Sequence, residues 1–252
     1  MKNRPNNVKA AILVEQNKPL VVDKIDFPEK LFPGQVLVKV ECSGICGSQI
    51  GEISGAKGAD KYLPHLMGHE GCGYVLDVGE GVTKVNIGDK IILHWKKGEG
   101  IEAATPKYIW KDKYLNAGWV TTFNTHAIVS ENRCTKIADS VDSELASLFG
   151  CAITTGFGVV ENNAKVRMGE SIVVFGAGGV GLNIIQACSL HSAYPIIAVD
   201  IFENRLELAK ELGATHVFNS KNFDVFAEIQ KLLRGDKVDI FIDNTGNTEI
   251  IE

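Results

Sequence analysis

Two sets of residues have types and spacing that could support chemistry. Cys46, His69 and Cys151 supply two thiols and an imidazole, a donor set suited to a zinc ion with a fourth position left for water or substrate. They lie in VECSGICGSQ, LPHLMGHEGCG and LFGCAITTGFG. No two of them form a compact C-x-x-C pair, and buried cysteines are common core residues, so spacing alone leaves both readings open. The second set is in SIVVFGAGGVG, where Gly176, Gly178 and Gly181 have G-x-G-x-x-G spacing, with Gly179 and Val180 completing the run. Gly176 would make the tight turn, Gly178 would let backbone approach a diphosphate, and Gly181 would allow close packing of helix on strand. Asp200 follows Gly181 by 19 residues at the end of IIAVD, placed to accept hydrogen bonds from adenosine ribose hydroxyls. An acidic side chain there repels a 2′-phosphate and favours NAD over NADP. Arg205 could reach ribose or diphosphate, or be an exposed helix arginine. Asp243, Thr245 and Gly246 sit where ligands bind at a sheet's carboxyl edge, with an Asp-initiated turn as the equal alternative.

These residues need elements to position them. From Val8 to about Lys136, short apolar or alternating runs broken by glycine turns predict a β-rich, barrel-like unit with strands in VKAAILV, QVLVKVECS, GCGYVLDVG, DKIILHW and THAIVS. The pattern fails between His94 and Phe123, which reads as a long loop. VDSELASLFG and ITTGFGVVENNA read as helical segments. Strand and helix then alternate from Ile172 to Ile242, predicting a parallel sheet covered on both faces. Four strands are visible against the usual total of about six. The expected division is residues 1–150 and 151–252, with the second, Rossmann-like part incomplete.

The chain has 252 residues, more than the roughly 150 of a typical domain, and 45% apolar content, so two real cores are expected. Its 26 basic and 31 acidic residues include no dense basic block, which argues against nucleic acid. No apolar stretch is long enough to span a bilayer, and the polar start lacks a signal peptide's apolar centre, so a cytoplasmic protein without a membrane partner is expected. That setting turns the six cysteines away from a disulfide framework. Cys42, Cys72, Cys134 and Cys188 read as packing residues, and His65, His126, His191 and His216 as surface or supporting groups. His94 and Trp95 could line a pocket or a core.

GICGS, GHEGCG with VLDVGEGVTKVNIGDKI, the C-x-x-x-T-G-x-G run from Cys151 to Gly158, and GAGGVG with Asp200 follow one another in a family's order. On these stretches the chain resembles the zinc-dependent alcohol dehydrogenases of the medium-chain dehydrogenase/reductase superfamily. The resemblance implies an α/β protein with a GroES-like β-rich catalytic domain followed by an incomplete Rossmann NAD-binding domain. It implies Cys46, His69 and Cys151 as catalytic-zinc ligands, with Glu70 near the ion and able to enter its coordination. Ser48 becomes the hydroxyl that takes the substrate proton; without the resemblance it is a turn residue. The implied reaction is hydride transfer between NAD and an alcohol or polyol, giving the aldehyde or ketone.

Two departures from the family pattern matter. No cysteine lies between Cys72 and Cys134, so a second, structural zinc is not expected, and Lys96 to Gly118 must be held by packing. Gln49 stands where the family usually has aspartate, and Gly51 where several relatives have a proton-relaying histidine. The family pattern also continues beyond Glu252, with part of the catalytic domain and the usual dimer surface, so the homo-oligomer the family suggests lacks that surface here. A catalytically silent nucleotide-binding fragment is therefore an alternative. A zinc-independent quinone reductase is another, though it needs none of the three ligands.

Overall fold

The computed structural model describes residues 5, 8–222 and 224–251, and the chain divides into two compact units, Met1–Cys151 and Ala152–Glu252.

The first unit contains β1 (Val8–Leu13), β2 (Val21–Ile25), β3 (Gln35–Ser43), α1 (Gly47–Ile53), β4 (His65–Leu66), β5 (Gly71–Val78), β6 (Lys90–Leu93), β7 (Tyr108–Trp110), β8 (Lys113–Leu115), β9 (His126–Ser130), β10 (Cys134–Lys136) and α2 (Ser143–Leu148). Their strands are divided among sheets ordered β2-β1-β4, β10-β6-β5-β3-β9 and β7-β8. Residues 123–125 stitch the first two together: Ala11 N–H donates to the Phe123 carbonyl, Thr125 N–H to Lys9 and Val40 N–H to Thr125. One core gathers Ile12, Ile25, Leu37, Tyr108, Leu115 and Ile128, and a second Val36, Val38, Val75, Ile91, Leu93 and Val129. Neighbouring residues of β3, Val36 and Leu37, go to different cores, as the two-residue strand period requires.

The stretch expected as a long loop contains the β7–β8 hairpin, with both turn residues, Lys111 and Asp112, at positive φ. A two-residue turn of that kind normally draws Asn-Gly or Asp-Gly, so Lys-Asp gave no sequence cue. The stretch is fixed by hydrogen bonds from Ile101 N–H to the buried Glu131 carboxylate (2.7 Å), from Ala103 N–H to Ser130 Oγ (2.8 Å) and from Ile128 N–H to Tyr108 Oη (2.7 Å). Glu131 also accepts from Thr83 and Lys84 N–H, so one carboxylate closes two loops. Helix α1 and the short strands β2, β4 and β10 were also not anticipated; each is brief and carries little periodicity.

The second unit runs α3 (Ala152–Gly158), a π-helical turn (Val159–Ala164), β11 (Ile172–Phe175), α4 (Gly179–Leu190), β12 (Ile196–Asp200), α5 (Glu203–Glu211), β13 (His216–Asn219), α6 (Val225–Leu232), β14 (Ile240–Asp243) and α7 (Thr248–Ile251). The sheet is parallel in the order β13-β12-β11-β14. Alternate residues serve opposite faces: Ile172, Val174, Ile196 and Ala198 pack with α4, while Val173, Ile197 and Val199 pack with Ile229 of α6. The near-continuous apolar strands are those of a sheet covered on both sides. Helix α6 begins where the sequence suggests, with Asp224 capping it by accepting from Ala227 N–H (3.1 Å).

Candidate metal centre and nucleotide loop

Three chain segments of the first unit bring Cys46, His69, Glu70 and Cys151 together, each offering one donor atom, all within 4.8 Å of one another. Cys46 stands at the N-terminus of α1, just after β3. The pairing of β3 with β5 shifts register around Glu41, a bulge of the kind that re-aims a strand end beside a site. His69 and Glu70 enter β5 from a bend whose Met67 carbonyl accepts from Thr122 and Phe123 N–H. Cys151 follows α2, which is started by Asp142 accepting from Leu145 N–H (2.9 Å).

The geometry suits a soft divalent ion. The Cys46 and Cys151 sulfurs are 3.9 Å apart and none of the six cysteines is in a disulfide. Two zinc–sulfur bonds of about 2.3 Å at a tetrahedral angle would place sulfurs about 3.8 Å apart. His69 Nε2 is buried without a hydrogen-bond partner, which native interiors rarely tolerate unless something else satisfies the atom. Burial first, and the charge of Lys57 second, hold the His69 imidazole below its usual pKa, so it is neutral at pH 7, as a ligand must be. Its other nitrogen, Nδ1, lies 2.7 Å from Gln49 Nε2. Ser48 sits in α1 rather than in a simple turn, and its Oγ donates to Cys46 Sγ at 3.4 Å.

Three of the four remaining thiols, Cys72, Cys134 and Cys188, are buried in apolar clusters. Burial raises the pKa of Cys188 to about 12 and pushes Cys134 still higher; it also raises Cys72. His94 directs Nδ1 to the Lys96 carbonyl (2.7 Å) and Nε2 to Thr135 Oγ1 (3.0 Å), so one nitrogen serves the local backbone and the other a side chain of β10, while Trp95 beside it is exposed. Of its two expected roles, surface or supporting, His65 takes the supporting one. It is buried, pairs with Asp60 Oδ2 at 2.7 Å and approaches Glu52 Oε1 at 3.6 Å.

In the second unit, Gly176 adopts φ +90° in the turn after β11, and a Cβ on Gly181 would fall 1.8 Å from the Gly176 carbonyl oxygen. A Cβ on Gly178, the residue that caps α4, would meet nothing within 4 Å. That open space suits a ligand approaching the amides at a helix N-terminus. Asp200 is buried at the end of β12. Its Oδ1 accepts from Ile201 (2.7 Å) and Phe202 (3.0 Å) N–H, and its Oδ2 accepts from Ala177 N–H (2.8 Å) and faces Arg205 at 3.6 Å. One of these three bonds ties the glycine loop to the strand and two hold the turn after β12, leaving its charge as the larger part of what it can offer a ligand. Arg205 also lies over the Phe202 ring (4.8 Å). Asp243 accepts from Thr245 N–H and Oγ1 and from Gly246 N–H, the Asp-initiated turn of the two alternatives. Sequence reading missed Asn244, whose Nδ2 donates to the Gly176 carbonyl (3.0 Å) and so braces the loop; nothing about a lone asparagine after a strand marks that role.

Comparisons with known proteins cover most of the chain. The family described as alcohol dehydrogenase GroES-like domain matches residues 32–139, and zinc-binding dehydrogenase matches residues 179–252. The chain is 34% identical over 273 residues to S-(hydroxymethyl)glutathione dehydrogenase of Synechocystis sp., covering 96% of this chain and 72% of that protein. It is 34% identical over 275 residues to alcohol dehydrogenase 6 of Peromyscus maniculatus, covering 97% and 71%. Benzyl alcohol dehydrogenase from Acinetobacter calcoaceticus superposes with a TM-score of 0.86 at 30% identity, covering 98% of this chain and 73% of that one. The fold and the comparisons together define a GroES-like unit followed by a Rossmann-type unit. The chain belongs to the zinc-type alcohol dehydrogenase family of the medium-chain dehydrogenase/reductase superfamily. Among the described residues, no helix is long and apolar enough to cross a membrane.

Proposed function

We propose that this chain is a zinc-dependent, NAD-linked oxidoreductase that interconverts a small alcohol or polyol with its aldehyde or ketone. The observation that carries the proposal is the meeting of two thiols, a carboxylate and a buried, unpartnered imidazole nitrogen within 4.8 Å. When bound, zinc supplies Lewis acidity toward the substrate oxygen and NAD supplies the hydride acceptor.

The chain's own residues hold, orient and move a proton. Cys46, His69 and Cys151 would hold the ion, the two thiolates offsetting its charge, with Glu70 beside them as a further oxygen donor. Ser48 accepts the substrate's proton at Oγ; its present contact is to Cys46 Sγ. Gly51 has no side chain to carry the proton onward, so from Ser48 it would pass through water, ribose hydroxyls or another histidine. In the second unit the loop from Gly176 through Gly178, Gly179 and Val180 to Gly181 receives the diphosphate at the start of α4. Asp200 disfavours a 2′-phosphate by charge, with Arg205 beside it for the ribose. One ion per chain is expected, since no four-cysteine set exists for a second.

Metal analysis of the purified full chain tests this, together with NADH formation from a panel of alcohols, polyols and S-(hydroxymethyl)glutathione. The expected result is about one zinc per chain and alcohol-dependent NADH that disappears on chelation. A chain that binds no zinc overturns the reading. Bound zinc with no NADH from any alcohol leaves the silent nucleotide-binding protein in its place.

A further inference from the structure

The amide of Gln49 occupies both sides of a conflict. Its Oε1 accepts from Cys46 N–H at 2.9 Å, and its Nε2 lies 2.7 Å from His69 Nδ1. A backbone N–H can only donate, so the atom facing Cys46 must be the amide oxygen, and the atom facing His69 must be the NH2 group. An NH2 group has no lone pair, so His69 Nδ1 must accept. A neutral imidazole that accepts at Nδ1 carries its proton on Nε2, which is the buried, unpartnered nitrogen pointing at the cluster.

A metal at the cluster needs the opposite arrangement, with a lone pair on Nε2 and the proton on Nδ1. That proton would then face the Gln49 NH2, donor against donor. Turning the amide over relieves His69 but sets NH2 against Cys46 N–H. Gln49 is buried at 2% exposure, so water cannot readily take up whichever partner is lost. A carboxylate of the same length has no such conflict, because both of its oxygens accept.

Resting on the metal-site reading above, we propose that Gln49 holds metal-free His69 as the Nε2–H tautomer, so that an ion binds only when Gln49 gives up one of its two hydrogen bonds. Gln49 is thus a positioning residue that weakens metal binding and that a carboxylate would convert into a strengthening one.

Two measurements on the full chain test this. In the metal-free protein, long-range 1H–15N spectra report the tautomer of His69, assigned by the resonances lost in His69→Gln; protonated Nε2 is expected. Competition with a chromophoric chelator then gives the Zn2+ affinity of the wild type, Gln49→Glu and Ile50→Glu. Ile50 is exposed and next along α1, so Ile50→Glu adds the same charge without replacing the amide. Gln49→Glu should bind Zn2+ about 10–100-fold more tightly than the wild type, the range through which hydrogen-bond partners of a ligand act. Ile50→Glu should stay within about threefold, as a solvent-screened charge does. A spectrum with Nδ1 protonated overturns the proposal whatever the affinities. Bound zinc with Gln49→Glu no tighter than Ile50→Glu overturns it while leaving the metal centre standing. Failure of all three proteins to bind zinc removes the metal centre and this proposal together.

Discussion

The first unit holds two clusters of potential metal ligands with donor atoms within 4.8 Å of one another, and they differ in how much of that capacity is already used. In Glu52–Asp60–His65, His65 directs Nδ1 at the Leu66 carbonyl (2.9 Å) and Nε2 at Asp60 (2.7 Å), so both ring nitrogens face oxygen acceptors. Asp60 accepts from Tyr62 N–H as well (2.8 Å). That cluster closes on itself and pins the segment between α1 and β4. In the Cys46–His69–Glu70–Cys151 cluster, His69 Nε2 meets nothing and two soft sulfurs stand 3.9 Å apart. Crowded donors do not by themselves make a metal site; donors left unsatisfied, of a softness matched to the ion, do.

The largest test of this contrast is Cys46→Ser beside Glu52→Gln. Losing a thiolate ligand should lower zinc affinity by more than the roughly 10–100-fold typical of a lost supporting hydrogen bond, whereas Glu52→Gln should leave zinc content unchanged. Zinc retained by Cys46→Ser but lost from Glu52→Gln would reverse the assignment. His65→Ala then separates structure from metal. It leaves Asp60 Oδ2 without its His65 partner and should cost about 1–3 kcal/mol by urea unfolding while zinc content stays the same.

How much of this was legible in the sequence follows from the same distinction. The parallel sheet was readable because Ile172–Phe175 and Ile196–Asp200 are continuous apolar runs between helical stretches, and the glycine loop because its task fixes residue type at fixed spacing. The three ligands could be nominated by type, but not joined, since Cys46, His69 and Cys151 come from separate segments and only the tertiary fold closes them. The β7–β8 hairpin was hidden because its turn uses residues that rarely take positive φ. Neither which of its two roles His65 takes nor the orientation of Gln49 could be read, because both depend on which hydrogen bonds are already taken.

The glycine loop offers the same contrast in space instead of lone pairs. Gly181→Ala would drive a methyl into the Gly176 carbonyl and should destabilise the chain by about 1–3 kcal/mol through overpacking. Gly178→Ala meets no protein atom, so its stability should change by no more than about 0.5 kcal/mol, while adenine dinucleotide binding weakens because the methyl enters the ligand's space. Unfolding curves and calorimetric titration with NAD separate the two. Undiminished NAD binding by Gly178→Ala would mean that the space at Gly178 is not reserved for a ligand.

The smallest effect, and the one that assigns each cluster its own pH window, is acid destabilisation of the metal-free chain. Burial, followed by Lys57, lowers the His69 pKa from the usual 6.5, and burial acts first on His94 and His126 in the same direction. As pH falls below 6.5 the unfolded chain therefore takes up protons that the folded chain still refuses, and stability declines until the folded pKa values are passed. Asp60 behaves differently. Burial raises its pKa, but Tyr62 N–H and His65 more than offset this and hold it below the usual 3.8. Its contribution is thus intact above 3.8 and is lost only as pH falls through its lower folded value. His69→Asn should make the urea midpoint less steep just below pH 6.5, with the shares of His94 and His126 remaining, and leave the acid limb alone, and Asp60→Asn should do the reverse. Added zinc should steepen the upper limb in the wild type, because protons compete with the ion for Cys46, His69 and Cys151. A His69→Asn profile that still steepens with zinc would place the ion elsewhere and collapse the distinction between the two clusters.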